Sequence, residues 1–143
     1  MPLPPTVNRC WRTAWREGLA PLISEHALAA LRLALEIDDA RLLQGCIVQT
    51  MNDHVSGGCL IGLCGLTDHP DWSAGELEEY FRSLVLLAEE RIGCGQMDWF
   101  LRWFDNIPRD VMRADLLPEV IREQARRGLL DEDEAPVVVL IAE

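Results

Sequence analysis

His54, Cys59, Cys64 and His69 follow one another at five-residue intervals, in a stretch that also holds Gly57, Gly58, Gly62 and Gly65. Two imidazoles and two thiolates are an acceptable ligand set for tetrahedral zinc. The spacing argues against that use. Ligand pairs in small zinc modules sit about two to four residues apart, whereas five-residue steps alternate faces on a strand and diverge on a helix. Leu60, Ile61 and Leu63 lie between the cysteines and read as core, and buried cysteine behaves as a small hydrophobe. Core packing for Cys59 and Cys64 is therefore expected, with no metal and no other cofactor. The alternative is a thiol or zinc site built from His54, Cys59, Cys64 and His69.

Other reactive constellations are thin. Cys94 lies between two glycines at an expected helix C-terminus, where the dipole raises a thiol pKa rather than lowering it. No Gly-x-Ser-x-Gly elbow is present, and a phosphate-binding loop is impossible in a chain without lysine. No Glu-x-x-His pair is available for a carboxylate metal site in a bundle. Catalysis is not the expected role.

The net charge of −11 is unevenly spread, because residues 36–90 hold eleven carboxylates against Arg41 and Arg82. Such a chain repels phosphate backbones, so nucleic acid is not an expected partner. A protein with a basic surface is, and a homodimer is a further option. All 13 cations are arginines, hence permanently charged planar forks suited to carboxylates. The longest apolar runs fall well short of the ~20 residues a bilayer requires, so no membrane association is expected. Cysteines without an evident export signal fit a bacterial-type cytoplasmic protein with reduced thiols.

Periodicity points to an all-α, or mostly α, single-domain bundle of about six helices. Val7, Trp11 and Trp15 mark a helix over about 6–18. Ser24 caps a second, with Leu28, Leu31 and Leu35 on one face. Asp38 or Asp39 is expected to cap a third, its inner side formed by Leu42, Leu43, Cys46, Ile47 and Met51. Residues 53–72 break the pattern, and Cys59–Cys64 reads as a buried loop or short strand. Ser73 and Glu76 form a capping box that opens the longest helix, to about Ile92, with Glu78 and Arg82 paired outside. Met97, Phe100, Leu101 and Phe104 define a fifth helix. Pro108 opens the last, which Pro118 is expected to kink and Gly128 to close. The expected division is a helical domain over 1–128, then an acidic linker and extended apolar tail over 129–143.

Trp11, Trp15, Trp99 and Trp103 recur at i, i+4 spacing. They read either as two aromatic-faced helices packed together or as an exposed partner-binding stripe, tryptophan and arginine being common at interface hot spots. Val137, Val139 and Ile141 of the tail are further partner-binding candidates, through strand pairing. The expected function is a small acidic protein–protein interaction module: an adaptor, inhibitor or immunity-like protein without catalytic activity.

Overall fold

The computed structural model describes residues 5–93 and 95–130. They form one mostly-α domain in the order α1 (Pro5–Thr13), α2 (Glu25–Ile37), β1 (Val48–Met51), β2 (His54–Gly58), α3 (Leu60–Asp68), α4 (Ala74–Ile92), α5 (Met97–Asn106) and α6 (Arg109–Arg126). Cys94 and the tail candidates Val137, Val139 and Ile141 lie outside the described residues.

The first helix does not stop at Thr13. It widens into a π-helical stretch, Ala14–Leu19, and tightens into a 3₁₀ turn, Ala20–Leu22. Val7, Trp11, Ala14, Trp15, Leu19 and Ala20 are thereby all buried. Helix α2 begins where the sequence says, with the Ser24 hydroxyl accepting from Ala27 N–H at 3.0 Å. Leu28, Leu31 and Leu35 are fully buried on its inner face.

The expected helix after Asp39 is absent. Asp38 takes a left-handed conformation (φ 56°) and ends α2, its N–H bonding Ala34 O. Asp39 Oδ1 accepts from Arg41 N–H at 2.9 Å, a local turn that competes with helix. Leu42 is buried while Cys46 and Met51 are exposed, so the five residues share no face. Ile47 and Val48, both β-branched, lead instead into an antiparallel hairpin. Its two-residue turn, Asn52 and Asp53, has positive φ at both positions, as the twist of a tight hairpin demands. Thr50 opposes Val55 and Gln49 opposes Gly57, leaving Ser56 as a bulge whose hydroxyl donates to Gln49 O.

A second correction concerns Cys59–Cys64, which is helical rather than loop or strand. Leu60 to Gly65 are buried on every side, so no amphipathic period marks α3 in the sequence. Cys59 stands where serine or aspartate usually caps, its Sγ accepting from Gly62 N–H at 3.4 Å. The glycines serve close approach: a Cβ at Gly58 or Gly62 would collide with Ile47 O. Cys59 N–H bonds that same carbonyl at 3.1 Å, so the strand entering the hairpin lies directly on the start of α3.

The capping box at Ser73 and Glu76 is complete, and α4 runs to Ile92 as expected. On its outer side Arg82 pairs with Glu79 at 3.3 Å, not with Glu78. Helix α6 continues through Pro118 as one element and ends before Gly128 (φ 74°).

Arginines do much of the tying. Arg109 reaches Asp38 Oδ1 (2.6 Å), Leu42 O (2.7 Å) and Asp39 O (2.9 Å), and Arg113 reaches Leu35 O and Glu36 O. Together they satisfy carbonyls at and beyond the negative end of α2. Glu119, buried, receives Arg12 at 3.0 Å and both arms of Arg16 at 2.7 and 2.8 Å, locking α6 to the first helix. Burial pushes the Glu123 carboxyl up, but the forks of Arg126 and Arg127 outweigh it and hold the group below the usual carboxylate range.

Candidate functional site

The four residues spaced at five do not converge. His54 opens β2 and is exposed; Cys59 and Cys64 are buried at the start and middle of α3; His69 ends that helix and is exposed. Among the described residues no group of three or more histidine, cysteine or acidic side chains is placed to hold a metal. Burial pushes the Cys59 thiol up to about 11, against a smaller lowering by the Gly62 and Ile61 N–H groups. Cys64 is pushed up as well, by burial first and then by Cys59 and Asp68. Both thiols therefore keep their protons at neutral pH, the opposite of what a thiolate nucleophile or ligand requires.

Cys46 and Cys59 border a cavity of about 160 Å³ walled by Phe81, Phe100 and Phe104. Asp105 stands at its polar edge, accepting from Gly45 N–H at 3.0 Å. Its other walls are largely aliphatic, and apart from the Asp105 carboxylate no charged or imidazole group faces the thiols from that lining.

The tryptophan stripe is core. Trp11, Trp15 and Trp103 are at most 2% exposed, which removes them from any docking surface. Trp11 and Trp103 stack, Phe100 packs against Trp11 and Trp15, and Arg12 covers Trp11 from outside at 4.6 Å. Of these four tryptophans only Trp99 is partly accessible. The two-helix packing alternative holds here because the π-helical stretch carries Trp15 onto the same core as Trp11.

The outward side of α4 is a different surface. Leu86 (61% exposed) and Leu87 (47%) are two of the largest exposed aliphatic side chains among the described residues. Glu78, Glu79 and Glu90 are exposed on the same helix, placing carboxylates before and after the leucines. Near the start of α4 a shallow groove of about 320 Å³ is lined by Trp72, Glu76, Glu79, Tyr80 and Ser83. His69 stacks on the Trp72 ring at 3.6 Å and 11°, and Tyr80 meets Trp72 edge-on at 5.9 Å and 60°.

Sequence reasoning passed over Trp72, Leu86 and Leu87. Two signals were present: Trp72 is the one tryptophan of positions 72, 99 and 103 outside an i, i+4 pair, and Leu86 and Leu87 fall outside the i, i+7, i+11 row of Leu77, Leu84 and Ala88.

The class that fold and surface define is a mostly-α single domain with an acidic helical face. No protein-family model, curated protein or solved structure matches the chain. No helix among the described residues is long and apolar enough to cross a membrane.

Proposed function

We propose that the chain is a small acidic protein–protein interaction module without catalytic activity, and that α4 is the face meeting a basic partner. One observation carries this reading: Leu86 and Leu87 stand exposed on a helix whose other outward positions include Glu78, Glu79 and Glu90. An apolar centre with a polar rim is the anatomy of a docking surface. Arg12, Arg16, Arg109, Arg113, Arg126 and Arg127 are bonded within the domain away from α4, and on α4 itself Glu76, Glu78, Glu79, Glu89 and Glu90 outnumber Arg82 and Arg91. The surface field near α4 is therefore negative and steers a basic protein towards it.

The test is affinity capture with the full chain from its native host, repeated with Leu86→Arg/Leu87→Arg. A partner with a basic surface is expected, lost on the double substitution and slower to associate as ionic strength rises. A partner retained by the double variant, or associating at one rate in low and high salt, overturns the reading.

A further inference from the structure

We infer that the groove between Trp72 and the first turns of α4 seats the guanidinium of an arginine on the basic partner; this rests on reading the protein as a binding module. The groove combines two features that select such a group. Trp72 and Tyr80 meet at 60°, giving a corner of two aromatic walls, and Glu76 and Glu79 line the same space. Indole is the strongest cation–π surface among side chains, and guanidinium lies flat on it while its edge forks to a carboxylate.

From the C-terminal end of α3, His69 stacks on the indole at 3.6 Å and stands edge-on to Tyr80 at 6.4 Å. The corner is thus preformed rather than assembled on binding. Glu76 Oε1 already accepts from Ser73 N–H at 2.9 Å, which holds that carboxylate in place and leaves it a second oxygen. Glu79 pairs with Arg82 through side chains that are 68% and 60% exposed, a weak arrangement that an incoming fork displaces.

Shape decides between a free small molecule and a side chain. Small ligands are held in sites that bury most of their surface. This groove is open along its length, so it suits a group delivered on a larger body whose neighbouring surface reaches Leu86 and Leu87. From Glu79 to Leu86 is about 10 Å along the helix at 1.5 Å per residue, within one partner footprint. An apolar occupant would desolvate two carboxylates without compensation, and an anion would be repelled by them.

The experiment titrates the blocked peptide Gly-Gly-Arg-Gly-Gly into the full chain and follows the Trp72 indole N–H by NMR, assigned through Trp72→Phe. A saturable shift at Trp72 is expected, about threefold or more weaker for the lysine peptide and absent for its neutral citrulline counterpart. Glu79→Gln, an exposed change that leaves the fold intact, should weaken the arginine peptide about two- to fivefold. No shift, or an equal response to citrulline or to tetramethylammonium, overturns the inference. The two readings fail separately. Capture that depends on Leu86 and Leu87 while the arginine peptide leaves Trp72 unmoved keeps the module and removes the groove. An arginine-specific Trp72 shift with capture indifferent to those leucines keeps the groove and removes the α4 face as proposed.

Discussion

The indole of Trp11 lies flat on that of Trp103, with ring centroids 3.6 Å apart and planes within 4°. The pair joins α1 to α5 at the centre of the aromatic core, and neither ring reaches solvent. Trp103→Ala should cost about 3–5 kcal/mol, since it opens a cavity the stacked partner cannot fill alone. Trp99→Ala, on the partly accessible flank of the same helix, should cost well under half of that. Denaturant unfolding of the two variants checks the ranking, and equal losses would place Trp99 in the core.

Glu119 is 7% exposed and receives three guanidinium bonds from Arg12 and Arg16, which are themselves 42% and 37% exposed. Glu119→Ala should destabilise the fold by about 2 kcal/mol, moderated because the freed arginines regain water. Adding Arg16→Ala should cost little more, and a double-mutant cycle measures that coupling. Strict additivity would show the two residues to act independently.

Gly62 and Gly75 make opposite predictions for one substitution. At Gly62 an added methyl meets Ile47 O, so Gly62→Ala must push the hairpin strand off α3 and lower stability by about 2 kcal/mol or more. At Gly75 the nearest atom is Ser73 Oγ at 3.9 Å, and Gly75→Ala should stabilise α4 by up to about 1 kcal/mol. Thermal melts in which both variants move the same way would contradict the contact at Ile47.

The thiols set an alkaline limit. Cys59 is raised by burial from 9.0 to about 11, so below pH 9 its proton is on in both folded and unfolded chains. Between pH 9 and 11 the unfolded thiol ionises first, and stability falls with rising pH by up to about 1.4 kcal/mol per unit for each such thiol. Cys64, raised further, adds to the slope in the same direction. Unfolding free energies at pH 8, 9 and 10 should decline in the parent and decline less steeply in Cys64→Ala. A flat profile would mean the thiols meet water in the native state.

Much of the architecture is legible in the chain because its helix ends are written chemically. Ser24, the Ser73 and Glu76 box, and Gly128 state their roles through local hydrogen bonds and positive φ, and those boundaries match the structure. The centre of the chain is not legible by the same means. Helix α3 is apolar all round, so it has no period to detect, and a cysteine sits at its cap. The hairpin is four and five residues long with an Asn52–Asp53 turn, and Leu42 to Met51 imitate a helical spacing that the left-handed Asp38 forbids. The surface was harder still. Periodicity finds the tryptophans that repeat, and three of those four are buried; Trp72 is positioned by His69 and Tyr80, contacts that exist only once α3 and α4 have packed.

The clasp between the first and last helices has a consequence for how the chain is made. Arg16 and Glu119 are 103 residues apart in sequence, and Arg127 and Ala20 are 107 apart. At about 5–20 residues per second of synthesis, Arg16 waits roughly 5–20 s before Glu119 has even been added. For most of that interval, until Met97–Asn106 have been added, Val7, Trp11 and Trp15 have no α5 to cover them, and loop closure over such a distance comes late in folding. The nascent chain therefore carries an uncovered aromatic stripe for most of its growth, and its yield in a cell depends on what shields that stripe until α5 emerges.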